Sequence, residues 1–553
     1  MSTKAYFPLA EISASNPIFT QTRAIIEAAF YGNNVVKINT LREAYELAKN
    51  SPGTVVTDMP VYKAEELGLE KDAKVLLFND GNVSGRAAAA RKISGEPGVN
   101  VADLEGKTKE AIYQTRNRLM YHAEVYIGLH EDFMVKAHLL IPEGEENIMY
   151  SWMLNFQYMS DEYVKMYKNS KPIEGEGDIY IFSDPQWSHP DHPMGLTFFD
   201  TNHNCASLLG MRYFGEHKKG TLTIAWAVAN RHGYASCHGG QKRYNLEGGK
   251  SYVAGVFGLS GSGKSTITHA AHGGKYNITV LHDDAFIISS EDGSSIALEP
   301  AYFDKTQDYP LTSPDNKFLV TAQNCGVTMD EDGNKVLVTE DIRNGNGRAV
   351  KSKLWSPNRV DKIEEPINAI FWIMKDPTIP PIVKLSGASL ASVMGATLAT
   401  KRSSAERLAP GVDPNALVVE PYANPFRTYP LANDYEKFKA LVAKNNVACY
   451  IINTGDFMGK KVKPADTLGI IETLVEGKES FKQWGPFTDI EIMEWEGFVP
   501  DLSDAEYVAQ LKARMLDRLN FVKSMDTEKG GFDKLPEDAA AAIQSIVDQA
   551  STL

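Results

Sequence analysis

The sequence predicts an α/β protein of two domains. Three observations carry that expectation. The chain has 553 residues, more than one ordinary domain of about 100–200 residues accommodates. After Lys250, apolar strand-like runs at Val253 to Phe257, Ile278 to Leu281, Ile367 to Ile373 and Ala448 to Ile452 alternate with loops and helical stretches, the pattern of a mixed α/β unit. The first of these runs passes directly into Gly258-x-x-x-x-Gly263-Lys264-Ser265, with helix-like residues behind it, which is how a P-loop mononucleotide-binding domain opens. We therefore place an N-terminal mixed α/β domain over 1–235 and a C-terminal P-loop domain over 236–553.

Composition sets the limits. Hydrophobic residues make up 43% and charged residues 23%, and no run of about 18 uninterrupted apolar residues occurs, so a globular rather than membrane or disordered chain is expected. The N-terminal Met1 to Pro8 lacks the apolar stretch of a secretory signal, which predicts a cytoplasmic location. A net charge of −14 argues against nucleic-acid or membrane-surface partners, which attract basic surfaces. Cys205, Cys237, Cys325 and Cys449 are scattered, so neither a disulfide framework nor a zinc ribbon is expected. Cys237 reads as a small buried residue.

In chain order, the alanine tract Ala87 to Ala90 predicts helix, and a long helical stretch begins near Thr108. Val135 to Ile141, Ile179 to Phe182 and Thr221 to Val228 read as strands. Asn324 to Asn334 and Glu340 to Arg348 read as turns between short strands; Asp330, Asp332 and Asn334 superficially suggest a calcium loop, but the glycine and the distal acidic residue fall at the wrong offsets, so a solvated hairpin turn is expected. Asp504 to Met525 and the tract Ala539 to Ala542 read as helices.

The loop carries the chemistry. Its glycines let backbone N–H groups curl toward phosphate oxygens, Lys264 adds a positive charge, and the Ser265 hydroxyl suits a divalent ion. Downstream, the apolar run Ile278 to Leu281 ends at Asp283-Asp284, where a strand end can bring carboxylates to a metal and phosphates. Upstream lie Tyr213-Phe-Gly-Glu-His-Lys218-Lys219-Gly220 and Ser236-Cys237-His238, which alone would read as a solvated lysine pair and a structural histidine.

Taken together and in order, Ser84-Gly85-Arg86, Tyr213 to Gly220, Ser236 to His238, Gly258 to Ser265 and Asp283-Asp284 resemble the ATP-type phosphoenolpyruvate carboxykinases. Fainter echoes at Asp184 to Trp187, Leu298 to Lys305 and Asn453-Thr454-Gly455 extend the likeness over about residues 80 to 480. The resemblance implies the two-domain fold of that family and the reversible conversion of oxaloacetate and ATP to phosphoenolpyruvate, CO₂ and ADP, a carboxy-lyase reaction of gluconeogenesis or carbon fixation. It implies Mn²⁺ held by Lys219, His238 and Asp284, and Mg²⁺ held by Ser265, with Asp283 on that ion's waters. It further implies that Arg86, Tyr213, Lys218, Lys219 and Ser260 contact the substrate. Nucleotide contacts would come from Gly258, Leu259, Ser260, Gly261, Ser262, Gly263, Lys264, Ser265, Thr266, Lys305, Arg348, Lys461 and Thr467. Arg86, Lys218, Lys219, Lys264 and Lys384 would serve the catalytic step, and the chain is expected to be a monomer.

The chain departs from the family at four places. Asp283-Asp284 continues as Ala285-Phe-Ile-Ile288 instead of Glu-His-Gly-Trp. Pro380-Pro-Ile-Val-Lys384-Leu385 carries lysine where the family has arginine, which keeps charge but loses the bidentate fork. Gly459-Lys460-Lys461 stands where Gly-Lys-Arg is common, and the segment Glu420 to Arg427 is also unlike the family pattern, with Arg427 a candidate to replace one lost cation. Two other readings stay open: a kinase of the same fold with another acceptor or phosphoryl donor, and a non-catalytic nucleotide-binding regulator.

Overall fold

The computed structural model describes residues 2–79, 87–259, 261–306, 309–340, 347–401, 411–413 and 416–553. The chain divides into two compact units, one of Met1–Val228, Leu298–Pro357 and Ser404–Val412, the other of Ala229–Ala297, Asn358–Ser403 and Asp413–Leu553. The division after Val228 lies a few residues before the expected boundary at 235, and Leu298–Pro357 returns to the first unit. An inserted segment of this kind has no mark in composition. Its strands pair with those of early residues, and only tertiary pairing reveals that.

Among the described residues, the first unit holds a sheet in the order Val35–Ile38, Met120–His130, Phe133–Pro142, Ile179–Asp184, Cys205–Leu209, Leu196–Asp200 and Arg91–Ile93. A second, five-stranded sheet joins Tyr302–Lys305, Arg348–Lys351 and Leu319–Gln323 to Lys74–Phe78 and Thr54–Pro60. The expected strands at 135–141 and 179–182 lie inside their observed counterparts. Thr221 to Val228 is instead part of the helix Phe214–Arg231. Residues 221–228 are all buried, so no polar face exposes the helical period, and the run of Thr, Ile and Val imitates a strand. Ala88–Ala90 forms a single 3₁₀ turn rather than a longer helix.

Among the described residues, the second unit is built on an eleven-stranded sheet whose centre runs Tyr234–Asn245, Ser251–Phe257, Ala369–Met374, Ala448–Asn453, Ile382–Leu385. The middle three of these are parallel. Parallel central strands are covered on both faces and read as continuous apolar runs, which is why all of them were visible in the sequence. The helices Lys264–His269 and Pro464–Val475 contribute Ile267, Ile470, Ile471 and Leu474 to the core against Val256, Phe371 and Ile452. Helices Ala505–Ser524 and Glu537–Ser551 follow, the first capped by the Asp504 carboxylate. The hairpin Gly326–Met329 with Lys335–Val338 turns through Asp330, whose carboxylate accepts the N–H groups of Asp332 and Asn334. Most of the second glycine-rich turn lies outside the described residues. All four cysteines are buried and none forms a disulfide. Among the described residues no helix is long and apolar enough to cross a membrane.

Candidate active site

In the second unit, Ser251–Phe257 delivers the chain into the loop at the carboxyl end of the parallel strands, where α/β sheets place their ligands. Gly263 takes φ +96° as the N-cap of Lys264–His269, a conformation that glycine adopts without a Cβ penalty. At Gly258 a Cβ would lie 2.4 Å from Ser262 Oγ and 3.0 Å from Ile373 Cβ, so no larger residue fits there. The Gly261 carbonyl accepts from Lys375 Nζ at 2.9 Å and the Ser262 carbonyl from the Thr454 hydroxyl at 2.8 Å. Because a trans peptide holds its C=O and N–H antiparallel, the Gly263 N–H points away from Thr454, which holds the Ser262 carbonyl.

Behind the loop, Lys264, Asp284 and His238 converge. Asp284 Oδ1 lies 3.1 Å from His238 Nε2 and 3.4 Å from Lys264 Nζ. The backbone explains this meeting. Tyr234–Asn245 pairs antiparallel with both Ser251–Phe257 and Ala285–Ser289, placing His238 opposite Ala285 beside the Asp284 turn, and Gly239 N–H donates to the Asp284 carbonyl at 3.1 Å. His238 Nδ1 is bonded to the Ala423 carbonyl, which directs Nε2 at the carboxylate. Asp283 faces His269 Nε2 at 3.4 Å on the loop helix. Burial works to raise the Asp283 carboxyl, but the His269 bond and the charges of His269 and His282 outweigh it and hold the group below the ordinary carboxylate range. Lys242, fully buried, donates to the carbonyls of Ile267 (2.6 Å) and Ala270 (2.9 Å), fastening the end of the helix; burial pushes its pKa down to about 7.

A cavity of ≈ 290 Å³ adjoins the loop, lined by Gly261, Ser262, Gly263 and Thr266 together with Lys375, Thr454, Lys461 and Thr467 among others. Ser265 is exposed on the first turn of the helix. Lys461 and Thr467, which the resemblance implied as nucleotide contacts, line the cavity together with the loop.

Lys384 does not join this group. It pairs across the sheet with Tyr450, three residues before Asn453, roughly 10 Å down the strand from the end that touches the loop at a rise of about 3.3 Å per residue. Its ammonium lies 3.1 Å from Glu491. Arg427 is also engaged elsewhere, in a buried pair with Asp533. A further cation at the loop is Lys375, which the sequence reading missed. Burial, then the charges of Lys401 and Lys461, lower its pKa.

The first unit holds the other expected residues. Lys218 Nζ is 3.0 Å from Glu299, both side chains 0% exposed, and Asn155 donates to the other Glu299 oxygen at 2.6 Å. Phe303 sits near the Lys218 ammonium and near the Tyr213 ring, 6.1 Å between ring centroids. Gln323 clamps the segment around Tyr213, donating to the Arg212 carbonyl (2.9 Å) and accepting from Phe214 N–H (3.2 Å). Lys219, next on the helix, lies 5.8 Å from the Trp226 ring centroid. Lys305 and Arg348 are direct cross-strand partners, with Gln323 next in the ladder. Arg86 and Ser260 lie outside the described residues. Glu299 falls in a segment that echoed the family, yet a lone carboxylate there gave no reason to single it out.

The fold and the loop group define an α/β protein of the P-loop class. The family description "Phosphoenolpyruvate carboxykinase", in its ATP form, matches residues 97–493. The chain is also 26% identical over 345 residues to "Phosphoenolpyruvate carboxykinase (ATP)" of Aeropyrum pernix, covering 58% of this chain and 68% of the relative. With the family match spanning well over half of its length, the chain belongs to the phosphoenolpyruvate carboxykinase family.

Proposed function

We propose that this protein catalyses the ATP-dependent decarboxylation and phosphorylation of oxaloacetate to phosphoenolpyruvate, CO₂ and ADP, and the reverse reaction. The observation that carries the reading is the convergence of His238 and Lys264 on one oxygen of Asp284, behind a phosphate loop bordered by a cavity.

Imidazole nitrogen and carboxylate oxygen 3.1 Å apart form a donor pair that suits a divalent ion of the Mn²⁺ kind. His238 and Asp284, with Lys219 as the family pattern implies, would hold that ion, and Ser265 and Asp283 would serve Mg²⁺ on the nucleotide. Bound there, the ions supply charge stabilisation for the enolate and for the transferring phosphoryl group. Loss of CO₂ from oxaloacetate leaves that enolate, whose oxygen attacks the γ-phosphorus of ATP as ADP departs. No protein nucleophile is needed. Lys264 neutralises charge on the phosphoryl group, the glycine turns orient the phosphates, and Lys461 and Thr467 border the space for the rest of the nucleotide. Lys218 and Tyr213, with Arg86, would bind the substrate carboxylates. Positioning and electrostatics are the whole of the protein's task in such a transfer.

The test is phosphoenolpyruvate formation by the purified chain from oxaloacetate and ATP with Mn²⁺ and Mg²⁺. Lys264→Ala is expected to lower kcat about 10³-fold, the order reached when a transition-state cation is removed. Wild-type turnover no faster than the variant would overturn the assignment, and ATP consumption with a different acceptor would redirect it to another kinase of this fold.

A further inference from the structure

A second cluster of metal-ligating side chains lies on the large sheet of the first unit. His122 and Glu124 stand two residues apart on Met120–His130, so both project from the same face. His138, on the neighbouring strand Phe133–Pro142, is the direct cross-strand partner of Glu124. Residues i and i+2 of one strand with the residue facing i+2 are three positions whose side chains can meet at one point. Here they do. His122 Nε2 is 2.9 Å from His138 Nδ1, His138 Nδ1 is 3.4 Å from Glu124 Oε1, and His122 Nε2 is 3.8 Å from the same oxygen. Donor atoms about 2.0–2.1 Å from a tetrahedral ion stand about 3.3 Å from one another, a value these separations bracket.

The surroundings are those of a metal site. His138 Nε2 lies 3.0 Å from the Asp178 carboxylate, which is fully buried and itself bonded to the Thr3 hydroxyl. A carboxylate behind the outer ring nitrogen fixes the proton there and turns the Nδ1 lone pair toward the cluster, the arrangement that orients histidine ligands. The His138 ring is stacked on Tyr180 at 4.4 Å and the His122 ring meets the edge of Phe30 at 5.1 Å, so neither imidazole turns freely. His122 and Glu124 remain 12% and 13% exposed, which leaves a side open for entry and for a fourth, water ligand.

We infer that His122, Glu124 and His138 bind a divalent transition metal ion of the Zn²⁺ type. The ion replaces the hydrogen between the two rings, and His122 then carries its proton on Nδ1. Two cations oppose it. Lys37 Nζ is 2.8 Å from Glu124 Oε1, and Lys136 lies 3.9 Å from Glu124 Oε2 and 3.8 Å from Asp178. Lys37 is 49% exposed and leaves the carboxylate by swinging into water. Ion and ammonium therefore compete for one oxygen. None of these residues belongs to the group proposed for catalysis.

The experiment is calorimetric titration of the chelator-treated full-length chain with Zn²⁺ alone, with the absorption of Co²⁺ as a report of tetrahedral nitrogen and oxygen ligands. We expect a site retained in a His238→Ala/Asp284→Asn variant, which disables the loop group, and weakened at least about tenfold by His122→Gln or Glu124→Gln. Lys37→Ala should tighten binding several-fold. If His122→Gln does not fold, the exposed Lys37→Ala variant carries the test. Zn²⁺ affinity unchanged in Lys37→Ala, or stoichiometry that falls only with the loop variant, would overturn the proposal and leave a hydrogen-bonded Asp178–His138–His122 relay.

Discussion

Lys218 in the first unit and Lys375 in the second are both drawn out of water, and the protein answers their charges in opposite ways. Lys218 is fully buried against Glu299, whose second oxygen is held by Asn155. Lys375 is half-buried at the loop, where its charged neighbours are Lys401 and Lys461 and its hydrogen bond is to the Gly261 carbonyl. A cation neutralised from within contributes a fixed position and is costly to disturb. A cation set among cations raises the local potential and gains most when an anion arrives. The first is built into the fold; the second is poised for a ligand.

Glu299→Gln should have the largest effect. It leaves the Lys218 ammonium buried without its counter-charge, a change that costs about 3–5 kcal/mol when one partner of such a pair is removed. Urea unfolding would register the loss. Removing both charges as Lys218→Met/Glu299→Leu should restore most of the stability while phosphoenolpyruvate formation stays low. A double variant as unstable as the single would mean that the pair is not what the charges stabilise, and the contrast with Lys375 would collapse.

Lys375→Ala should come next, with fold stability kept and Mg-ATP bound about tenfold more weakly, the low end for a hydrogen bond from a charged group. Its pH dependence sharpens the point. Because the folded-state pKa is depressed, the unfolded chain binds the extra proton between that value and the ordinary lysine value. Ligand-free stability therefore rises with pH across this window. Affinity for an anion moves the other way, falling as Lys375 loses its proton, and at a lower pH than an ordinary lysine would require. Lys375→Arg should bind Mg-ATP near wild type and flatten that fall. Equal alkaline loss in the Arg variant would remove Lys375 from the account.

The contrast also marks what a sequence discloses. The loop from Gly258 to Ser265, the Asp283-Asp284 strand end and the buried parallel strands were legible because each is written in consecutive residues whose spacing has a local physical meaning. Lys461 and Thr467 could be placed at the cavity only through a family pattern. Lys375, His269 and Lys242 were not legible. Each acts through a contact made only by the fold: Lys375 on the Gly261 carbonyl, His269 on Asp283, and Lys242 on the end of the loop helix. Thr221 to Val228 was misread for a related reason, since a helix buried on every side shows no period. Glu299 was lost because one carboxylate in sequence looks like any other until Lys218 is placed beside it.

The smallest effect is expected at Lys384, and there it decides most. If position 384 supplied the transferring phosphoryl group with its cation, as the family pattern implies, Lys384→Ala would lower kcat by about 10²-fold or more. Its ammonium instead pairs with Glu491 between two partly exposed side chains, 37% and 30% accessible, a kind of pair worth about 0–1 kcal/mol. We expect Lys384→Ala to change kcat and Mg-ATP affinity less than about twofold and stability by no more than about 0.5 kcal/mol. Parallel assays of Lys375→Ala and Lys384→Ala rank the two lysines directly. A larger loss at Lys384 would return the role to the position named by the motif, and a larger loss at Lys375 would show that the loop's cation has moved to a different strand.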